Sequence, residues 1–248
     1  QWIATASVGW IPVTIYDKTQ WNPEGAAHWT DAVRLLRGKR CFGGVDLSKS
    51  TDLTAFVLLF PPQPGLETWV ALFWAWRPEE GVDEAEKHDH SHYRDWERAG
   101  FVELCEGDIV DYSRVEEVIR EAADAFDLIT LGLDPAMSWT LSQRLMQGGI
   151  EVLEISQTML GMSPATKKLE VLIRAHQMLH EHNTCARWNF GNVRCAVDGN
   201  ENMKPMKNRS TGRIDITVAW IIAMATAMVK EAAKPDLAAA MERPGFSL

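Results

Sequence analysis

Three apolar runs, Cys41 to Leu47, Leu53 to Phe60 and Thr68 to Trp76, stand almost back to back, and they constrain the fold more than any other feature. Each is rich in Val, Leu, Phe or Trp and has the length of a strand. The breaks between them, Ser-Lys-Ser-Thr-Asp and Pro-Pro-Gln-Pro-Gly, are turn material. Breaks this short leave no room for a crossover, so neighbouring runs are expected to pair antiparallel.

Downstream the pattern changes. Asp83 to Arg98 is polar and reads as a surface helix, with a short strand over Phe101 to Leu104. Val115, Val118, Ile119, Ala122 and Phe126 mark one helical face, and Ser113 and Glu116 stand in capping-box spacing at its start. A buried strand follows over Leu128 to Asp134, then a helix from Ser138 to Gln147 that stops at Gly148-Gly149, and a strand from Ile150 to Ile155. Leu169, Leu172, Ile173 and Leu179 define another amphipathic helix. Strand-helix-strand units favour parallel pairing, so the expected architecture is α/β, a mixed five-stranded sheet flanked by helices. Residues 184–207, with Gly191 and Gly199, predict an extra β-hairpin before a last helix from Thr211 to Lys230.

The two ends differ from this middle. Trp2, Trp10, Trp21 and Trp29 are scattered among Pro and Gly without a period, so residues 1–40 read as a linker or N-terminal arm with a short helix from Thr30 to Arg37. The main domain is expected over 41–233. Pro235 and Pro244 suggest an extended tail over 234–248. The first residue is Gln, which is compatible with a fragment of a longer chain.

Composition removes several classes of function. Cys41, Cys105, Cys185 and Cys195 form no C-x-x-C pair and no zinc spacing, so buried free thiols are expected. A net charge of −9 argues against constitutive coating of nucleic acid, though not against a local basic groove. Ile216 to Val229, the most apolar stretch, is shorter than the roughly 20 residues of a membrane span, and the given sequence does not open on a charged n-region followed by an apolar h-region. A soluble cytoplasmic protein without membrane contact is the expectation. His88, His90 and His92 read as surface histidines; His176 and His180 lack the Glu of H-E-x-x-H, and His176 is expected to border the core. No G-x-S-x-G or G-x-G-x-x-G motif is present.

Two strands end in the same unusual way. Gly44-Val45-Asp46-Leu47 and Gly132-Leu133-Asp134-Pro135 each place an aspartate in apolar surroundings, where an unpaired charge costs several kcal/mol. Side chains alternate along a strand, so each aspartate shares a face with a glycine and is expected to have open space beside it. If the strands are parallel neighbours, the two carboxylates converge. Asp215 starts an apolar helix, and the helix dipole alone, about 0.3–1 kcal/mol, does not explain a buried charge there. Three carboxylates without His or Cys suit Mg²⁺ or Mn²⁺, and two such ions perform phosphoryl transfer. Asp46 is expected to bridge both ions, Asp134 and Asp215 to hold one side each, and Asp52 to act as an outer ligand. Lys204, Lys207, Arg209 and Arg213 cluster beside Asp215, and Lys49 follows Asp46; these are the candidate DNA contacts.

The same residues resemble the C-terminal nuclease domain of the large terminase subunit of tailed double-stranded DNA bacteriophages. The matching segments are Gly43 to Ser48 with Thr51 to Ala55, Leu133-Asp134-Pro135, Ser163-Pro164 with Lys167 and Leu169-Glu170, Arg187-Trp188-Asn189 with Asn192-Val193, and Lys204-Pro205 through Ser210 to Asp215. They fall in order over residues 41 to about 230. The resemblance implies a ribonuclease H-like fold, with Asp46, Asp134 and Asp215 as its acidic metal-binding triad. It implies an endonuclease that cuts concatemeric viral DNA during packaging, in the cytoplasm of a bacterial host. Its implied partners are double-stranded DNA, the terminase small subunit, the portal and the ATPase domain of the same subunit. No G-x-x-x-x-G-K-[ST] occurs in this chain, so ATP hydrolysis is not expected of it. A junction resolvase or transposase of the same fold, or a non-catalytic DNA or partner docking module, are the alternatives.

Overall fold

The computed structural model describes residues 6–23, 33–48, 52–134 and 139–232. Thr30, Lys49 and the tail over 234–248 lie outside the described residues. The described residues open with β1 (Ala6–Gly9), a short helix α1 (Val13–Tyr16) and one 3₁₀ turn. The three back-to-back runs form β2 (Arg40–Asp46), β3 (Thr54–Phe60) and β4 (Trp69–Pro78), paired antiparallel in that order, as their short breaks require. Nearly every residue in them is buried, because helices cover both faces of the sheet.

Helices α2 (Val82–Asp89) and α3 (Tyr93–Arg98) replace the single polar helix expected over Asp83 to Arg98. His90 between them adopts a left-handed φ of 52°, which ends α2. After β5 (Glu103–Cys105) come α4 (Tyr112–Ala125) and β6 (Asp127–Leu133). Asp111, rather than Ser113, caps α4: its side chain accepts a hydrogen bond from Ser113 N. Helix α5 (Trp139–Gln147), β7 (Val152–Glu154), α6 (Met159–Arg174) and β8 (Met178–His180) continue the alternation. Strand β6 lies parallel to both β2 and β7.

Among the described residues the main sheet has seven strands instead of five, in the order β5-β4-β3-β2-β6-β7, with β8 also along β4. Of the two strands beyond the expected five, β5 overlaps the short strand expected over Phe101 to Leu104, whereas β8, three residues long at the end of the stretch expected as a helix through Leu179, is too short to carry a legible alternation. Residues 184–191, expected as part of a hairpin, form helix α7 (Thr184–Gly191), capped by Asn183, whose side chain accepts from Ala186 N. The hairpin itself is β9 (Arg194–Val197) and β10 (Met203–Pro205), extended to a three-stranded sheet by β1. The last helix, α8 (Asp215–Ala232), starts four residues later than expected.

Two apolar layers enclose the sheet. On one face Val45, Phe56 and Leu58 pack with Val115, Ile119 and Leu141 of α4 and α5. On the other, Phe42, Val57 and Leu59 meet Leu169 of α6, Phe190 of α7 and Trp220 of α8. Helix α8 is buried from Asp215 through Ala227, as an all-apolar helix must be. Residues 6–23 form an arm packed on this body: Trp10, Tyr16 and Trp21 are buried, and Arg187 pairs in bidentate fashion with Asp17 at 2.6 and 2.8 Å. All four cysteines are free and buried. His88, His90 and His92 are exposed. His176 is exposed too, against expectation; the buried histidine is His180, fixed between Tyr16 O and Glu181 O. Among the described residues no helix is long and apolar enough to cross a membrane.

Candidate functional site: an acidic pair around one cation

Gly44 stands opposite Gly132 and Val45 opposite Leu133 in the parallel β2–β6 pair. That register carries Asp46 and Asp134 to the same end of adjacent strands. It is the carboxyl end of the parallel strands, where open α/β sheets place their sites. The glycines do not leave open space for an ion, as the sequence reading expected. A Cβ on Gly44 would lie 2.3 Å from both Ala219 O and Ala223 N, and one on Gly132 would lie 2.0 Å from Thr226 Oγ1. The missing side chains let the backbone of α8 settle directly on β2 and β6, and this close approach sets the N-terminus of α8, with Asp215, over the end of β2.

Asp46 and Asp215 are 4% and 1% exposed. Lys207, on the 3₁₀ turn Lys207–Arg209 that follows β10, reaches both: its Nζ lies 2.9 Å from Asp46 Oδ2 and 2.6 Å from Asp215 Oδ1. Burial pushes Asp46 up to about 6, with Lys207 opposing the rise and Asp215 adding to it. Asp215 is raised mainly by burial, again against the pull of Lys207. Burial lowers the Lys207 ammonium, but the two carboxylates outweigh it and hold it charged. The arrangement is a desolvated acidic pair compensated by one shared cation.

Around this pair the chain adds a second layer. Gln157 Nε2 lies 3.4 Å from Asp46 Oδ1, and Lys204 Nζ donates to Gln157 O at 2.6 Å. Arg213 pairs with Asp52 through Nη1, and its Nε lies 3.7 Å from Asp89 Oδ2. Tyr112 donates to Ser48 O two residues beyond Asp46. Gln157, Asp89 and Tyr112 carry no signal in the sequence that marks them, since each reaches the site through loop or helix geometry. Asp134 is half-buried. Among the described residues no three His, Cys, Asp or Glu side chains stand close enough to ligate one ion in this arrangement. The donor chemistry fits a hard cation nonetheless: carboxylate oxygens face a positive charge, and the ammonium of Lys207 stands in for it.

The model for "Terminase large subunit, endonuclease domain" matches residues 13–231. The terminase large subunit of Enterobacteria phage HK97 is 29% identical over 194 residues, covering 76% of this chain and 38% of that protein. Protein YmfN of Escherichia coli strain K12 is 26% identical over 206 residues, covering 79% and 45%. The crystal structure of the HK97 bacteriophage large terminase superposes with a TM-score of 0.77 and 25% identity, over 89% of this chain and 44% of that one. The chain therefore spans less than half the length of these relatives. With the ribonuclease H-like mixed sheet and the match over 13–231, the chain belongs to the terminase large subunit family, in its endonuclease domain.

Proposed function

We propose that this domain is a metal-dependent endonuclease that cuts concatemeric double-stranded viral DNA during genome packaging. The observation that carries the reading is the meeting of Asp46 and Asp215, distant in sequence and both buried, around one cation beside the end of β6 that bears Asp134. A structural role alone is a poor account of such a pair, because apolar side chains of similar volume would stabilise the same position at least as well. Asp46, Asp134 and Asp215 would hold the Mg²⁺ or Mn²⁺ ions. When bound, the ions supply Lewis acidity to an attacking water and to the leaving 3′ oxygen.

The chain's own groups do the rest. Gln157 orients Asp46. Arg213 fixes Asp52, which serves as an outer carboxylate and not as a direct ligand. Lys204, Arg209 and Arg213 would contact phosphates, with Lys49 beyond the described residues; Lys207 is held by the acids. The domain is proposed to run over 41–233 with the arm packed on it. In the complete protein it would work with an ATPase domain, the terminase small subunit and the portal, in the cytoplasm of the bacterial host.

Relaxation and linearisation of supercoiled plasmid in Mn²⁺ tests the proposal. Asp46→Asn, Asp134→Asn and Asp215→Asn should each lower cleavage by more than about a hundredfold, beyond the usual effect of outer-layer changes, with the circular dichroism spectrum unchanged. Wild-type-like cutting by any variant removes that residue from the mechanism. Uncut plasmid with the parent chain at every divalent concentration would favour a docking module. Preferential cutting of branched DNA would favour a junction resolvase.

A further inference from the structure

We propose that Lys207 is an internal competitor for the metal: its ammonium holds the cation position between Asp46 and Asp215 until an incoming divalent ion displaces it. This rests on the reading of the acids as metal ligands. The nitrogen is 2.6 and 2.9 Å from oxygens on carboxylates whose side chains are only 2% and 6% exposed. Mg²⁺ sits about 2.0–2.1 Å from its oxygens, so an ion touching Asp46 Oδ2 and Asp215 Oδ1 would overlap the ammonium. Occupancy is exclusive.

Lys207 is also built to leave. It belongs to a single 3₁₀ turn and not to a core element, and its side chain is 45% exposed. A cavity of about 270 Å³, lined by Gln157, Met162, Lys204, Met206, Lys207 and Val218, adjoins it. The flexible four-carbon stem can swing into that space without unpacking α8 or the sheet. In the metal-free protein the ammonium spares two neighbouring carboxylates from facing each other uncompensated. The consequence is weakened metal affinity, since every ion that binds must first break the Lys207 contacts.

Calorimetric titration of the whole chain with MnCl₂ tests this. Lys207→Met should bind Mn²⁺ at least about tenfold more tightly than the parent, the equivalent of one charged hydrogen bond that no longer has to be broken. Its metal-free form should melt lower and recover more on adding Mn²⁺. Lys207→Arg keeps a cation between the acids and should stay near the parent affinity, so a general loosening of the turn would not reproduce the pattern. Lys207→Gln, whose amide still donates to a carboxylate, gives the same comparison if Lys207→Met lacks a stable metal-free form. Equal or weaker Mn²⁺ binding by the neutral variants, while the parent binds Mn²⁺ and cuts plasmid, overturns the role of Lys207 and leaves the nuclease reading standing. Absence of Mn²⁺ binding in the parent and the variants alike overturns both. Binding by a neutral variant but not by the parent supports the competitor role.

Discussion

Glu181 shows what burial does to a carboxylate that no metal argument claims. It is 7% exposed, and its Oε1 accepts hydrogen bonds from Phe73 N at 2.8 Å and Asn183 Nδ2 at 3.2 Å. Burial outweighs these bonds and lifts its pKa to about 7 from an ordinary value of 4.5. The folded chain therefore holds a proton that the unfolded chain releases between those values. The stability linked to this proton is fully present below about 4.5 and is lost as pH rises through about 7, an effect on the order of 3 kcal/mol. Glu181→Gln imitates the protonated acid. It should flatten the fall in denaturant midpoint between acid and neutral pH and raise the midpoint at pH 8. A variant that keeps the parent's pH slope would assign that slope elsewhere. The acids of the site were legible at this scale because an aspartate at the end of an apolar strand demands compensation. The compensating group was not: Lys207 stands in a polar stretch of basic residues and reads as one more phosphate contact until the fold brings it to Asp46.

At the scale of elements, the close seating of α8 on β2 and β6 positions the site. Gly44 and Gly132 permit it, and the sequence pattern located both glycines but expected open space where α8 packs. Alternation shows which face a glycine shares with an aspartate, but not which distant helix comes down on that face. Gly44→Ala would force its Cβ against backbone atoms of Ala219 and Ala223, which cannot rotate away. Overpacking of this kind costs about 1–3 kcal/mol, and more where backbone must move. The variant should lower the melting temperature and also displace Asp215, so Mn²⁺ affinity should fall with it. Undiminished stability would mean that α8 does not pack at this distance. The long strands and the periodic helix α4 were legible because their patterns run over seven residues or more. Helix α7 was not: Cys185 to Phe190 is as compatible with a strand, and its helical state depends on the Asn183 cap and on burial against α8.

At the scale of the whole molecule, the N-terminal arm packs on the body and is expected to unfold with it. Tyr16 is 1% exposed, stacks on His180 with ring centroids 3.8 Å apart, and lies 4.5 Å from the ring of Phe190. Aperiodic tryptophans and prolines cannot announce such packing, because each residue finds a partner far away in the sequence. Tyr16→Ala should cost about 3–5 kcal/mol, as large aromatic truncations do, within one unfolding transition. A separate early transition would show that the arm melts independently.

The proposed activity depends on Asp46, Asp134 and Asp215 gathering divalent ions at the end of the central strands. Anomalous diffraction from a crystal soaked in MnCl₂ measures this directly. Manganese peaks are expected among the three carboxylates, with the Lys207 ammonium moved out of contact with Asp46 and Asp215. Manganese bound only elsewhere, with Lys207 still bridging the pair, would contradict it.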